Sequence, residues 1–465
     1  MVKRLEYGFN DNLNLLTDIN LTKGQLDNGL TYYTYNGLCN VNEVIFSLVV
    51  KIGCTVEEAG QRGAAHFTEH LCLSDSSHFS TEDGNSLYDI TASGYTNFDE
   101  TVFILKCIPL RENIERCINA LKKIADGSIM RRDRVEWVRR GIINEYKSVG
   151  GRTDFKIRQK VLPLTLNNSY YSNLMPIGEL ECLNEIGYDE LIKFHRQWYR
   201  PELMAVIAAG NIETGEVQEL FKKSFSTLLK TETKKERIYT NIAPYEHKKY
   251  AVNYFKNLVF AEIHMYYMHP KCEMQLVYDM KVKLTEWISY YMTENYIRKA
   301  LRNMYVNAKD VICKKDHFLN KYEFSVIVAK TEDEIIKVLS IMLEQLRVIA
   351  EQGISEKDFE ESKNTLLQGI KVNFQEQQKY APELLYTECR DNFLYGEPIL
   401  SIRDEYELSL NLINDISLID IGNCQKLWLR NSDMAIAINL PDNQKYHSES
   451  VAIIDYLNKI GCAAN

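Results

Sequence analysis

Three side chains that could bind and use a metal ion lie within five positions of the sequence. The stretch GAAHFTEHLC, residues 63–72, contains His66, Glu69 and His70 in a chain with nine histidines. Residues four apart on a helix lie on one face, so the two imidazoles can reach the same ion. This pattern predicts a catalytic zinc site, with His66 and His70 as ligands, an open position for water, and Glu69 as the general base.

A catalytic zinc ion usually has a third protein ligand, often a carboxylate from another element. The segment VEWVRRGIINEYKS, residues 135–148, offers Glu145 for this place. Three other interpretations are a solvated His/Glu pair on a helix surface, a structural zinc site, and His78 as an alternative ligand. A structural site fits less well, because it normally has four protein ligands and Cys72 would point away from the ligand face.

The elements that position these residues belong to an internal repeat. FHRQWYRPELMAVIAAG, residues 194–210, resembles NCQKLWLRNSDMAIAIN, residues 423–439, in the register that aligns Trp198 with Trp428. A strand, a long amphipathic helix and a glycine also recur, ending at Gly127 and Gly353. Strand-period and helix-period segments in mixed order predict an α+β fold for both halves.

The repeat predicts two homologous domains, at residues 1–228 and 248–465, with a polar linker at 229–247 broken by Pro244. At the spacing of the repeat, His70 corresponds to a position near Tyr296, in the segment TENYIRKALRNMY, which contains no histidine. Only the first half can therefore carry the metal site.

Composition excludes several classes of protein. A net charge of −9 without a basic run argues against nucleic-acid binding. The sequence shows neither a secretory signal nor an apolar stretch of membrane-spanning length, so we expect a cytoplasmic protein that does not bind membranes. The eleven cysteines form no CxxC pair or regular framework, which indicates reduced thiols.

These residues resemble those of the pitrilysin/insulinase family of zinc metallopeptidases, whose HxxEH motif inverts the order of HExxH. VVKIGCTVEEAGQRGAAHFTEHL, with Gly53 and Glu57, resembles the approach to the family's metal helix. RRGIINEY resembles the segment that ends in its third ligand, Glu145 here. The likeness is to the short two-domain members that resemble mitochondrial-processing-peptidase-like bacterial peptidases. It implies two homologous α+β domains, each an antiparallel sheet flanked by helices.

The resemblance also implies residues that contact substrate. Family members carry an arginine and a tyrosine in the second domain, and IRKALRNMY supplies Arg298 and Tyr305. Ser93 precedes GYTNFDETVFILK and Gly94 begins it; this stretch resembles the family's substrate-edge strand. Many relatives have Asn-Ala-x-Thr where this chain has Ser93-Gly94-Tyr95-Thr96, so we expect a different grip on substrate.

A second departure concerns support for the metal. Many relatives have a glutamate seven residues before the last ligand, where this chain has Val138, and Glu136 is out of register. We therefore do not expect a glutamate at this position to support the metal ligands as it does in those relatives.

Together, the residues and the resemblance predict a zinc-dependent endopeptidase that hydrolyses peptides or unfolded segments bound in extended form within an enclosed chamber. One two-domain unit supplies half of such a chamber, so we expect a homodimer or a heterodimer with a related subunit. The alternative is a non-catalytic binding or assembly subunit, although such subunits usually lose a histidine or the glutamate of the motif.

Overall fold

A computed structural model describes residues 15, 17–37, 42–75, 77, 79, 90–229, 235–237, 240–271, 273–306, 308–332, 334–377, 381–429 and 434–465. It contains two six-stranded sheets, each flanked by helices, so the predicted α+β class is confirmed. His78 and part of the predicted linker lie outside the described residues.

The first sheet belongs to the half of the chain with the HxxEH motif. Its strands are β1 (Leu21–Gln25), β2 (Thr31–Asn36), β3 (Val44–Val50), β4 (Thr91–Thr96), β5 (Thr101–Cys107) and β6 (Met204–Gly210). They lie in the order β1-β2-β6-β3-β5-β4, antiparallel except for the β2–β6 pair. Every residue of β3 and β6 is buried, because both strands are central and are covered on both faces, while β4 forms one edge.

The described part of the first half also contains seven α-helices. They are α1 (Ala64–Leu73), α2 (Arg111–Asp126), α3 (Val135–Gly151), α4 (Thr153–Thr165), α5 (Leu180–Glu185), α6 (Tyr188–Trp198) and α7 (Thr214–Phe225). The amphipathic helix α2 ends at Gly127, whose φ of 75° suits a left-handed cap.

The second half repeats this plan. Its strands are β7 (Lys249–Phe255), β8 (Ala261–Pro270), β9 (Ala308–Phe318), β10 (Tyr322–Thr331), β11 (Met434–Pro441) and β12 (Ala463–Ala464), in the order β12-β7-β11-β8-β10-β9. Strand β7 is parallel to β11 and β12, and the other pairs are antiparallel. Its helices are α8 (Val277–Asn303), α9 (Ile335–Gln352), α10 (Glu356–Gln377), α11 (Ala381–Tyr395), α12 (Ile402–Asp415), α13 (Leu418–Trp428) and α14 (Gln444–Lys459).

The repeated residues occupy matching places in the two halves. Trp198 ends α6 before strand β6, and Trp428 ends α13 before strand β11. Gly127 follows α2, and Gly353 follows α9. The repeat seen in the sequence therefore corresponds to a repeat of elements.

Each half also covers the sheet of the other half. Leu385 and Cys389 of α11 pack in one buried cluster with Tyr33 and Ala205 of the first sheet. In the opposite direction, α4 packs against the second sheet, where Val161 and Leu164 join Tyr245, Ala435 and Ala437. Since apolar side chains cross in both directions, the halves share core packing, and the domain boundaries drawn from chain order stay a prediction.

Candidate metal site

The start of helix α1 is fixed by a buried carboxylate. Glu57 is 1% exposed, and its two oxygens accept hydrogen bonds from the backbone N–H groups of Gly63 at 2.9 Å and Ala65 at 2.8 Å. Gly63 has a φ of 99°, and a Cβ there would lie 2.7 Å from Leu183. Glycine and Glu57 together set where the helix begins, and hence where its histidines lie.

Helices α1 and α3 bring three candidate ligands together. The Nε2 atoms of His66 and His70 are 3.0 Å apart, and Glu145 Oε2 lies 3.6 Å from the first and 3.4 Å from the second. Ligand atoms arranged tetrahedrally at zinc–nitrogen distances of about 2.0–2.1 Å are separated by roughly 3.3 Å, so the three atoms fit a zinc ion. Among the described residues, no other group of three His, Cys, Asp or Glu side chains is as compact.

The electrostatics of the cluster favour neutral imidazoles. Burial, with His70 nearby, lowers the pKa of His66 to about 3, and burial also lowers the pKa of His70. Neutral rings keep the lone pair that binds a metal. The side chains of His70 and Glu145 are 35% and 40% exposed, against 10% for His66, so the cluster opens to solvent on the side of His70 and Glu145.

Glu69 lies beside the cluster on the same helix. It is 3% exposed, and its Oε2 accepts a hydrogen bond of 2.8 Å from the Thr96 hydroxyl on edge strand β4. Burial raises the pKa of Glu69 to about 7, the Thr96 hydrogen bond opposes this rise, and the charge of Glu145 adds to it. A carboxyl with a pKa near neutrality can both accept and return a proton.

Gly94 allows strand β4 to pass close to Glu69. A Cβ at this position would lie 2.9 Å from Glu69 Oε1 and 3.0 Å from the Val102 carbonyl oxygen. The departure from the family pattern at Gly94 therefore leaves room for the carboxylate. Ser93, the preceding residue, is exposed on the same edge strand.

Arg298 and Tyr305 lie in the second half, away from the contacts of the cluster. The Arg298 guanidinium pairs with Glu294 at 3.1 Å and Asp310 at 2.9 Å and donates to the Val311 carbonyl. Tyr305 follows α8, is 94% exposed and has a φ of 55°. Within the described residues, no contact joins either side chain to the metal cluster, and their role in binding substrate stays a prediction.

Among the described residues, neither Val138 nor Glu136 makes a hydrogen bond to a candidate metal ligand. Val138 is 2% exposed and packs in the core, while Glu136 pairs with Arg139 at 3.2 Å. His66 Nδ1, which in many metal sites donates a hydrogen bond to a supporting group, has no partner there.

Sequence reasoning missed two residues that position the site. Glu57 stood out only as the end of a Gly-x-x-x-Glu pattern, and Thr96 only as the last residue of a four-residue motif. The short loop between Glu57 and α1 is compatible with a cap, but nothing in the sequence pairs Thr96 with Glu69, which lies 27 positions away.

Comparison with protein families supplies independent evidence. Residues 40–174 match the model of the insulinase family, peptidase family M16, and residues 185–366 match that of the peptidase M16 inactive domain. The chain belongs to the insulinase family. The predicted resemblance is thus confirmed, and homology to named proteases supports a peptidase-type function.

Similar proteins include two described as zinc proteases. The chain is 23% identical to the probable zinc protease PqqL of Escherichia coli K12 over 437 residues, covering 90% of this chain and 46% of PqqL. It is 22% identical over 453 residues to a PQQL-like zinc protease of Arabidopsis thaliana, covering 95% and 44%. The chain spans about half the length of these curated relatives.

Solved structures show the same fold. The first half of the periplasmic protease PqqL from Escherichia coli matches with a TM-score of 0.82 at 19% identity, covering 96% of this chain and 98% of that one. A protease from Helicobacter pylori matches with a TM-score of 0.71 at 15% identity, covering 92% and 100%. Since the E. coli protein is periplasmic, the cytoplasmic location expected from the sequence stays a prediction.

Among the described residues, no helix has both the length and the apolar composition that a membrane-spanning segment needs.

Proposed function

We propose that this protein is a zinc-dependent endopeptidase that hydrolyses peptides or unfolded segments bound in extended form. The observation that carries the proposal is the compact cluster of His66, His70 and Glu145, with the buried carboxylate of Glu69 beside it. A zinc ion held by the cluster would supply a Lewis acid for activating water and polarising a carbonyl group.

The protein's own residues then handle the proton and the substrate. A carboxylate oxygen of Glu69 accepts a proton from the attacking water, and Glu69 then returns this proton to the leaving amine. The Thr96 hydroxyl orients the carboxylate by donating a hydrogen bond to its Oε2. Among the described strands, β4 forms an edge of its sheet, so the backbone groups on its outer side can pair with an extended peptide past Ser93 and Gly94. Backbone pairing of this kind selects for an extended conformation more than for a particular side chain.

We further propose that an enclosed chamber forms when two such two-domain units pair, either as a homodimer or with a related subunit. The supporting observation is that relatives described as zinc proteases are about twice as long as this chain. Sedimentation across a concentration range, combined with activity, tests this, and full activity of a monomer would contradict it.

The deciding experiment compares the wild type with Glu69→Gln in peptide cleavage and zinc content. Glutamine keeps the size of the side chain and an oxygen that can accept from Thr96, but it cannot take the proton. We expect equal zinc content and a loss of at least about a hundred-fold in kcat, in line with general acid–base catalysis. Glu136→Gln, which changes an exposed carboxylate on α3, is the matched control.

Equal cleavage by Glu69→Gln, or a wild type that binds no zinc, would refute the catalytic proposal. A wild type that binds an extended peptide without cleaving it would instead support the non-catalytic binding subunit.

A further inference from the structure

A cavity lies between the two halves, away from the metal cluster. It has a volume of about 1140 Å³ and is bordered by strands β1 and β2, the residue after β3, the end of β8, the β9–β10 turn and the end of α11. None of His66, Glu69, His70 or Glu145 lines it. This cavity is called the interhalf cleft below.

The charged residues of the interhalf cleft are predominantly basic. Two lysines come from the first half and two from the second, and the acidic residues in the lining are two glutamates. The lysines are Lys23, Lys51, Lys271 and Lys321, and the glutamates are Glu202 and Glu273. The cleft therefore has an excess of positive charge in a chain whose net charge is −9.

Lys51 differs from the other lysines of the cleft in the partners of its ammonium group. Its ammonium lies 4.1 Å from the centre of the Phe393 ring, and no hydrogen bond or ion pair joins this ammonium to another of the described residues, although the backbone N–H of Lys51 donates to the Leu203 carbonyl. By contrast, Lys271 pairs with Glu397 at 3.4 Å, and Lys23 donates to Asn392 at 2.9 Å. A half-buried ammonium without a counter-charge is unfavourable, and one aromatic face offsets only part of that cost.

The titration of Lys51 agrees with this geometry. Burial, together with the positive charges of Arg237 and Lys23, lowers the pKa of Lys51 to about 8. An anion in the cleft would replace lost hydration and reduce the repulsion among these cations.

We propose that the interhalf cleft binds a small anion carrying phosphate or carboxylate groups, with Lys51 as its principal contact. Lys23 on one side and Lys271 and Lys321 on the other place ligand groups within reach of both halves. Bound anion would thus tie the two halves together and raise the stability of the whole chain by mass action. The proposal does not depend on peptidase activity.

Calorimetric titration of the purified protein at low ionic strength tests the proposal, with inorganic phosphate and succinate as separate probes. Zinc content is measured before and after titration, so that loss of metal is not mistaken for binding. We expect at least one probe to bind and to raise the melting temperature, and Lys51→Met to weaken its binding about ten-fold or more, as for loss of a charge-assisted contact. Lys223→Met, an exposed position on α7, removes the same charge elsewhere and should leave binding within about two-fold.

The two probes separate the possible ligands. Binding of phosphate alone, succinate alone or both, each dependent on Lys51, supports the site and identifies its preferred chemistry. No binding of either probe, or binding that is unchanged in Lys51→Met, overturns the proposal.

A second measurement on the wild type remains informative if Lys51→Met fails to fold. At pH 8 an amine-acetylating reagent should modify Lys51 ahead of ordinary lysines, because the neutral fraction of its amine is on the order of a hundred times larger. The binding probe should protect Lys51 and leave Lys223 unprotected. Equal modification of Lys51 with and without the probe would contradict anion binding there.

Discussion

Replacing Thr96 with valine tests how Glu69 is oriented and charged. The two side chains have nearly the same shape, so the substitution removes chiefly the hydroxyl that donates to Glu69 Oε2 at 2.8 Å. A hydrogen bond to a charged group contributes about 1.5–3 kcal/mol, and Glu69 is too buried for water to replace it freely. At 1.36 kcal/mol per pKa unit, the pKa of Glu69 should rise by about 1–2 units.

The sign of the pH effect follows from this rise. The proposed general base must be deprotonated, and a higher pKa keeps it protonated over a wider range. At pH values below the pKa of Glu69 in both proteins, kcat/KM of Thr96→Val should be about ten- to a hundred-fold lower than that of the wild type. The two pH profiles should converge at high pH. A quenched-fluorescence peptide assay between pH 5.5 and 9.5 measures this, with zinc content determined for every sample.

Thr96→Ser is the matched control, because it keeps the hydroxyl and removes a methyl group. It should retain a pH profile close to that of the wild type. The reasoning would be refuted by coincident profiles for Thr96→Val and wild type, or by an equal loss in Thr96→Ser, which would indicate strand packing and not the hydroxyl. Loss of zinc from Thr96→Val alone would likewise show that the residue acts on the metal cluster.

Three further predictions concern the start of α1, the third candidate ligand and the packing between the halves. Glu57→Ala should lower the free energy of unfolding by roughly 2–4 kcal/mol in denaturant titrations, because it leaves two buried N–H groups at the start of α1 unpaired; wild-type stability would contradict the capping role. Glu145→Gln should weaken zinc binding in competition with a chelator by more than the roughly 10–100-fold typical of losing a supporting residue. Unchanged affinity would exclude Glu145 as a ligand. Leu385→Ala should destabilise the protein by about 2–5 kcal/mol while urea unfolding stays a single transition; selective unfolding of the second half would show that α11 does not couple the halves.

The sequence by itself predicted the α+β class, the repeat and the first two candidate ligands. These features depend on local periodicity: residues four apart share a helix face wherever the helix packs, so His66 and His70 could be paired before any fold was known. The sequence also offered Glu145 as a third ligand, and the family resemblance supported that choice. The structure places this carboxylate within 3.6 Å of both imidazoles.

Only the tertiary structure decided which distant groups meet. The Thr96–Glu69 hydrogen bond depends on edge strand β4 passing beside α1, and Gly94 makes that approach possible. Helices α4 and α11 each pack against the sheet of the other half, and charged residues from both halves line the cleft around Lys51. Both features depend on how the halves pack. Arg298 forms ion pairs within its own half, which its spacing to Tyr305 does not indicate. Spacing along the chain determines geometry within one element, whereas contacts between elements depend on the packing of buried apolar faces, to which many residues contribute.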